Sequence, residues 1–236
     1  MVTIRYKAIL FDVGDTLLEQ HPNQKQMYLG RMRALGFDVD PLTADAIERA
    51  VEKAAHEQIA KEQNGAPRMP DSDFQAMLDR AALGCALKGR DEEKYLDRLS
   101  SIPLPEHELR MIPGTLETLA ALKERGLRLA VVSNHRAWLP GYLAEIGLAD
   151  FFEAIVVSDV VGIEKPDVRI MQVALDALCL AAPDCLYVGD HPFDVLCAKN
   201  AGMDCAWLAA AQAVLPESVP YREDYRINAL PELLTL

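Results

Sequence analysis

The amino-acid sequence predicts an α/β fold, a doubly wound parallel sheet interrupted by one all-helical insertion. Three observations lead to this prediction. A short apolar segment over residues 8–11 runs into a tight turn, residues from about 19 to 110 show helical patterns and no convincing strand, and short apolar segments alternate with helical ones from Pro113 onward. The chain therefore divides into a sheet-forming part, residues 1–18 and 111–236, and a helical part, residues 19–110.

The alternation after Pro113 predicts four further strands, each preceded by a helix: 129–132, 154–157, 185–188 and 204–207. Three of the helices end at a glycine, which is a common helix stop: Gly126, Gly147 and Gly202. Strands and helices of this length in alternation form parallel sheets with right-handed crossovers. The first strand belongs to the same sheet, so the helical part is an insertion after that strand.

Helical periodicity supports the assignment of the inserted part. Apolar residues there recur at spacings of three and four, for example Phe74, Met77, Leu78, Ala81 and Ala82. We expect its methionines, such as Met27 and Met32, to pack in a core.

Charge and composition exclude several classes of protein. The chain carries 36 acidic and 24 basic residues in 236, a formal net charge of −12, which argues against a general binder of nucleic acid or of an anionic membrane. No apolar run approaches the roughly 20 residues of a membrane span, and residues 1–7 do not resemble a signal peptide. The five cysteines form no Cys-x-x-Cys pair and are odd in number. We therefore expect reduced thiols and a cytoplasmic location.

Polar side chains follow the predicted strands where ligands bind in such sheets, at the carboxyl ends. Asp12 follows the first strand, Ser133 and Asn134 the second, and Asp190 and Asp194 the strand 185–188, while a loop after the third carries Lys165. Three acids in one crevice cannot all stay ionised without a cation, and oxygen ligands favour Mg²⁺. A metal, a lysine and a hydroxyl form a phosphoryl clamp, with a carboxylate left to attack phosphorus.

These segments resemble the four motifs of the haloacid dehalogenase superfamily, in the right order and over essentially the whole chain. They are Phe11-Asp12-Val13-Gly14-Asp15-Thr16-Leu17, Val131-Val132-Ser133-Asn134, Glu164-Lys165-Pro166-Asp167 and Val188-Gly189-Asp190-His191-Pro192-Phe193-Asp194. The insertion is similar to the helical cap of the subclass whose cap lies between the first and second motifs.

The resemblance also implies roles for individual residues. Asp12 would form an aspartyl-phosphate, and Ser133 and Lys165, with Asn134 beside them, would bind the phosphoryl oxygens. Mg²⁺ would be bound by Asp12, by the backbone carbonyl of Gly14 and by Asp190, with Asp194 supporting it from outside or through water.

Gly14 departs from the family pattern. Family phosphatases usually carry there a second aspartate, which acts as general acid and base, and such assistance is worth about 10²–10⁴ in rate. Asp15 is adjacent, and three histidines lie in the motif loops, namely His21, His135 and His191. Each is a candidate replacement acid, although a structural role is the simpler interpretation of each.

The leading hypothesis is a Mg²⁺-dependent phosphatase acting through Asp12 on a small phosphorylated metabolite, as a monomer or homodimer. One alternative is metal-independent hydrolysis of a 2-haloacid, which also needs no second aspartate. Another is phosphonate cleavage through a Schiff base on Lys53 in the insertion. A non-enzymatic member that binds a phosphorylated ligand without turnover is the third.

Overall fold

A computed structural model describes residues 5–63, 66–67, 69–87, 92–106, 108–210, 213–217 and 219–236. The chain forms two compact units, one of Met1–Glu19 with Leu109–Leu236, which we call the core unit, and one of Gln20–Glu108, which we call the insert unit. Residues 1–4, which belong to the segment compared with signal peptides, lie outside the described residues. Within the described residues, no helix combines the length and the hydropathy of a membrane span.

The core unit is built on a parallel sheet, as predicted. Among the described residues the sheet has six strands, in the spatial order β5-β4-β1-β6-β7-β8, and every neighbouring pair is parallel. The strands are β1 (Ala8–Phe11), β4 (Arg128–Ser133), β5 (Ala154–Val157), β6 (Cys185–Gly189), β7 (Asp204–Leu208) and β8 (Tyr225–Ile227). The first strand in sequence is therefore central, with β4 and β6 on either side of it.

Helices cover both faces of this sheet, which explains why its strands are apolar throughout. In β1, Ile9 and Phe11 face a cluster that includes residues of α5 (Thr115–Glu124) and α6 (Leu139–Glu145). Ala8 and Leu10 face the opposite cluster, which includes residues of α8 (Arg169–Leu178) and α9 (Pro192–Asn200). A short helix, α7 (Ser158–Val161), follows β5. The predicted doubly wound α/β fold is confirmed.

In its described residues the insert unit contains four helices, and it has a core of its own. The helices are α1 (Gln24–Ala34), α2 (Pro41–Gln63), α3 (Asp71–Leu87) and α4 (Glu93–Ser100). Their buried apolar side chains form one cluster, which includes Met32, Ile47, Val51, Leu78 and Leu83. Inside this unit the guanidinium of Arg31 donates to both carboxylate oxygens of Asp79, at 2.5 and 2.8 Å.

Three strands of the described residues are not predicted from the sequence. Two of them, β2 (Leu18–His21) and β3 (Glu108–Met111), form a separate two-stranded sheet, so the prediction that residues 19–110 contain no strand was wrong at both borders. Both strands are only four residues long and carry charged side chains, and the alternation in Glu108–Met111 is too short to indicate a strand by itself. The third, β8, is a three-residue strand at the edge of the main sheet. Such segments are held by their pairing partners more than by a pattern of their own.

Candidate active site

The strand ends bring the predicted polar residues together at one edge of the core sheet. Asp12 directly follows β1, Ser133 ends β4 and Asp190 directly follows β6. Phe11 is in register with Val131 on one side and with Val188 on the other, so these three strands end at nearly the same level. Parallel strands present their carboxyl ends on one side of a sheet, which is why residues far apart in sequence meet here.

Lys165 lies at the centre of this group. Its buried ammonium donates to Asp12 Oδ1 at 2.8 Å, to Asp194 Oδ1 at 2.6 Å and to the Tyr187 hydroxyl at 2.9 Å. Burial by itself lowers the pKa of this ammonium, but the negative charges of Asp12 and Asp194 outweigh burial and raise the pKa above its ordinary value. Lys165 is therefore a fixed positive charge.

The side chain of Asn134 fixes the loop that carries Lys165. The Lys165 backbone N–H donates to Asn134 Oδ1 at 2.7 Å, and Asn134 Nδ2 donates to the Lys165 carbonyl at 2.9 Å. Both ends of the amide are thus used on one backbone residue. The contacts shown by Asn134 position Lys165, and direct contact of Asn134 with a substrate stays a prediction.

Asp12 is buried beside Ser133, which is itself buried. Burial raises the pKa of Asp12, the charge of Lys165 lowers it and the charge of Asp194 raises it again. A hydrogen bond from Ser133 favours the ionised form. The net direction is upward, so this carboxyl is more easily protonated than an exposed aspartate.

Asp12, Asp190 and Asp194 form an acidic cluster in which one oxygen of each lies within 4.8 Å of the others. Burial, together with the charges of Asp194 and Asp12, raises the pKa of Asp190 well above its ordinary range. Asp190 Oδ1 accepts a hydrogen bond from Thr16 Oγ1 at 3.1 Å. A divalent cation bound by oxygen ligands would compensate the negative charge of the three acids, so the donor set fits a metal.

Asp194 differs from the other two acids because both of its oxygens already have partners. Oδ1 accepts from Lys165, and Oδ2 accepts from the backbone N–H of His191 at 2.9 Å. This second contact closes a capping box at the start of α9, in which His191 Nδ1 accepts from the N–H of Phe193. The contacts make Asp194 an anchor for Lys165, and its support of a metal stays a prediction.

Gly189 is required by the approach of Asp194. A Cβ atom built on Gly189 would lie 2.7 Å from Cβ of Asp194 and closer still to its carboxyl group. Because the carboxylate is held by Lys165 and by the His191 N–H, it has no room to move away. The glycine of this motif is therefore set by packing against the buried acid.

At positions 14 and 15 the backbone conformation does not match the residue types: glycine lies where φ is not positive, and aspartate lies where φ is positive. A Cβ built on Gly14 would meet no atom of the described residues within 4 Å, and Gly14 does not have a positive φ. Asp15, in contrast, has a φ of 50°, in the left-handed region that favours glycine. Its backbone N–H donates to the Leu18 carbonyl at 2.7 Å. The glycine at position 14 is thus not demanded by the backbone.

The candidate replacement acids, Asp15 and the three histidines, differ in their surroundings. Desolvation raises the pKa of Asp15, and the charges of Asp12 and Glu19 raise it further, although the residue keeps contact with solvent. Burial lowers the pKa of His135, whose Nδ1 accepts from the Arg136 N–H, so its ring is neutral at pH 7 and has no acidic proton to give. His191 caps α9, and His21 is an exposed residue of β2 in the insert unit.

Lys53 lacks the surroundings of a Schiff-base lysine. It lies in α2, its side chain is 76% exposed and its ammonium is 3.8 Å from Glu57. Lysines that form Schiff bases are activated by burial or by a neighbouring cation. The structure therefore gives the phosphonate hypothesis no support.

Tyr187 was not predicted as part of the site. Its hydroxyl contacts Lys165, donates to the Val132 carbonyl at 2.7 Å and lies 3.2 Å from Asp194 Oδ1. Burial raises the pKa of this hydroxyl well above its ordinary value, so it is a neutral phenol. The one signal in the sequence was a tyrosine within the apolar strand 185–188, because a buried hydroxyl needs a polar partner.

Comparison with known proteins identifies the family. Residues 9–208 match the haloacid dehalogenase-like hydrolases. The chain belongs to this family. Its resemblance to the superfamily, inferred from four short motifs, is thereby confirmed, as is the prediction that the protein is a hydrolase.

Two relatives within this hydrolase family are phosphatases. A phosphoglycolate phosphatase of Rhodospirillum rubrum is 33% identical over 204 residues, covering 84% of this chain and 77% of the relative. A glyceraldehyde 3-phosphate phosphatase of Methanothermobacter thermautotrophicus is 31% identical over 207 residues, covering 84% and 83%. Among solved structures, an L-2-haloacid dehalogenase superposes with a TM-score of 0.67 over 98% of both chains at 20% identity. At that identity the likeness concerns the fold.

Replacement of Gly189 by alanine tests the packing of Asp194. We expect Gly189→Ala to lower the free energy of unfolding by about 1–3 kcal/mol, because the new methyl group overlaps a carboxylate that cannot move. Gly141→Ala is the matched control, since Gly141 lies in α6 with no atom near the site of its Cβ. Urea denaturation measures both, and equal effects of the two changes would contradict the packing explanation.

The raised pKa values of Asp12 and Asp190 predict a pH dependence of stability in the metal-free hydrolase. A carboxyl whose pKa is higher in the folded than in the unfolded protein contributes stability below about pH 4, the unfolded value, and loses it as the pH rises through the folded pKa. Asp190→Asn removes one such group. In EDTA, the unfolding free energy of the variant minus that of the wild type should rise by about 1 kcal/mol or more between pH 4 and pH 8.

Urea denaturation at each pH measures this difference. Asp150→Asn, which changes an exposed aspartate of the core unit outside the four motifs, serves as the control. A difference that stays constant with pH for Asp190→Asn would show that Asp190 is already ionised at pH 4.

Proposed function

We propose that this hydrolase is a phosphatase that removes the phosphoryl group of a small phosphorylated metabolite through an aspartyl-phosphate on Asp12. The observation that carries the proposal is the buried ammonium of Lys165, held 2.8 Å from Asp12 Oδ1 in an otherwise acidic cluster. A positive charge fixed beside the nucleophile suits a phosphoryl group, whose oxygens carry the negative charge of the reaction. The similarity of the chain to two phosphatases also supports the proposal.

Each of the candidate site residues then has a defined role in the reaction. One oxygen of Asp12 stays hydrogen-bonded to Lys165, and the other attacks phosphorus as the bond to the leaving-group oxygen breaks. Lys165 and Ser133 bind the phosphoryl oxygens, and Asn134 keeps Lys165 in place. Water then attacks the acyl phosphate, which releases inorganic phosphate and restores the Asp12 carboxylate.

The acidic cluster is the proposed place of Mg²⁺. Asp12, Asp190 and the backbone carbonyl of Gly14 would bind the ion, with Asp194 supporting it while it anchors Lys165. When bound, Mg²⁺ supplies charge neutralisation between the carboxylates and the phosphoryl group.

Glycine at position 14 bears on which leaving groups the reaction can use. With glycine at this position, no side chain there protonates the departing oxygen, so the reaction depends on a leaving group that departs as a stable anion. Acyl and aryl phosphates meet this condition better than alkyl phosphates. We therefore infer a preference for substrates with a leaving group of low pKa.

The proposal also covers the insert unit, the cellular location and the partners of the protein. The insert, which we place at 19–110 from the sequence and which the structure divides at Gln20–Glu108, serves as the cap that selects the substrate. All five cysteines are free thiols, in keeping with a cytoplasmic protein. The partners are small phosphorylated molecules, and the hydrolase acts as a monomer or homodimer.

Phosphate release from a panel of substrates tests the function. The panel contains acetyl phosphate, p-nitrophenyl phosphate, phosphoglycolate and glyceraldehyde 3-phosphate, each with Mg²⁺ or with EDTA. We expect Mg²⁺-dependent turnover, highest for the first two, and a loss of at least about 10³-fold in Asp12→Asn, because the nucleophile is removed. Asp150→Asn is the control, with unchanged rates expected, because Asp150 is exposed and lies outside the four motifs.

Two outcomes would contradict the phosphatase. Halide release from 2-chloropropionate in EDTA, without phosphate release from any substrate, would establish the dehalogenase reaction that the missing aspartate also permits. Binding of inorganic phosphate without any turnover would establish a ligand-binding member of the family.

Restoring the missing acid gives a second, independent prediction. Because the backbone and the surrounding space accept a side chain at position 14, Gly14→Asp should fold and should raise the rate with alkyl phosphates by about 10²-fold, while acetyl phosphate gains little. Gly14→Asn has nearly the same shape and no proton to give, so it is the matched control. Equal rates in the two variants would show that the absent acid does not limit the reaction.

A further inference from the structure

Tyr187 connects the parts of the site that are expected to hold a phosphoryl group. The residue lies in the middle of β6 and is completely buried. Its hydroxyl donates to the carbonyl of Val132, a residue of β4, although β1 lies between β4 and β6 in the sheet. The side chain thus spans the strand that carries Asp12.

The hydrogen atoms around this hydroxyl can be assigned from the chemistry of the groups. A phenol has one hydrogen, and the shortest contact, 2.7 Å to the Val132 carbonyl, uses it. An ammonium group can only donate, so the 2.9 Å contact is a hydrogen bond from Lys165 to the phenol oxygen. Tyr187 therefore accepts from Lys165 while its own direction is fixed by the backbone of β4.

Tyr187 is a neutral acceptor beside charged ones around Lys165. The ammonium has three hydrogens, and its acceptors include Asp12 Oδ1, Asp194 Oδ1 and the phenol oxygen. A third carboxylate at this place would add negative charge to a cluster that already holds three acids. A phenol fixes the direction of the ammonium and leaves its charge available to a phosphoryl group.

We propose that Tyr187 is a positioning residue for phosphoryl transfer, which aligns Lys165 and Ser133 with each other through one hydroxyl group. Val132, whose carbonyl accepts from Tyr187, directly precedes Ser133, so the same side chain holds the backbone before Ser133 and the ammonium of Lys165. With Tyr187 and Asp194 as fixed anchors, the ammonium keeps one N–H directed at Asp12 Oδ1, beside the place that the phosphoryl group would take. This inference rests on the proposed function and assigns a further residue to it.

Tyr187→Phe tests the proposal because it keeps the ring and removes the hydroxyl. We expect kcat/KM for acetyl phosphate to fall roughly tenfold to hundredfold, the effect of one hydrogen bond to a charged group, with most of the loss in kcat. Inhibition by orthovanadate, which adopts the five-coordinate geometry of the transition state, should weaken more than inhibition by inorganic phosphate. If Tyr187 contributed only to packing, inhibition by orthovanadate and inhibition by inorganic phosphate would weaken equally.

Tyr142→Phe is the matched control. Tyr142 lies in the core unit and donates its hydroxyl to a backbone carbonyl, that of Leu109 at 3.2 Å, without contacting Lys165. Removal of this hydroxyl should change kcat/KM less than twofold. Thermal melting of both variants shows whether either is unfolded at the assay temperature.

A second readout needs no turnover. In ¹H–¹⁵N spectra of lysine ammonium groups, a buried, hydrogen-bonded Lys165 gives a slowly exchanging signal, identified by its loss in Lys165→Met. Hydrogen exchange of this signal should become faster in Tyr187→Phe and stay unchanged in Tyr142→Phe. If Tyr187→Phe does not fold, 3-fluorotyrosine at position 187, which keeps the hydroxyl as a weaker acceptor, should give smaller changes in the same direction.

The outcomes separate this inference from the proposed function. Wild-type protein that lacks phosphatase activity, together with a Lys165 signal that depends on Tyr187, would refute the phosphatase and still support the alignment of Lys165 by the Tyr187 hydroxyl. Unchanged kcat/KM in Tyr187→Phe, an unchanged Lys165 signal, or equal weakening of vanadate and phosphate binding would overturn the positioning role.

Discussion

The site depends on one buried positive charge, the ammonium of Lys165. Without it, Asp12 and Asp194 would be two carboxylates facing each other in a buried place, and at least one would have to take up a proton. With it, both have a partner, and their attraction holds Lys165 charged in spite of burial. Removal of one member of such a group costs far more than the net contribution of the pair, because the remaining charges lose their compensation. The other features of the site serve this arrangement.

Several backbone features follow from the need to hold Lys165. Asn134 uses both ends of its amide on the Lys165 backbone, and Asp194 divides its oxygens between Lys165 and the first turn of α9. Gly189 leaves the space into which the Asp194 carboxylate fits. Two motifs that are separate in the sequence are thus one hydrogen-bonded unit, in which the helix start, the glycine and the lysine loop support each other.

Residues whose position follows from the sheet could be predicted from the sequence, and residues whose role follows from side-chain contacts could not. Asp12, Ser133 and Asp190 follow apolar strands, and parallel strands bring their ends together. Tyr187 is part of such a strand, and its role depends on reaching across β1 to Val132, which no local pattern records. The short strands β2, β3 and β8 were missed for a related reason, since three or four residues are too few to establish a pattern and their pairing with distant segments defines them.

In the loop after Asp12, the backbone conformation can be compared with the residue types at positions 14 and 15. At position 14 the backbone has an ordinary φ and free space, so an aspartate would fit there, and yet the residue is glycine. At position 15 the backbone is left-handed, which favours glycine, and yet the residue is an aspartate. The backbone therefore does not require the glycine at position 14, and a left-handed aspartate at position 15 is tolerated because aspartate is among the few residues that adopt this conformation. Under the proposed function, a leaving group that needs no proton would make an acid at position 14 unnecessary.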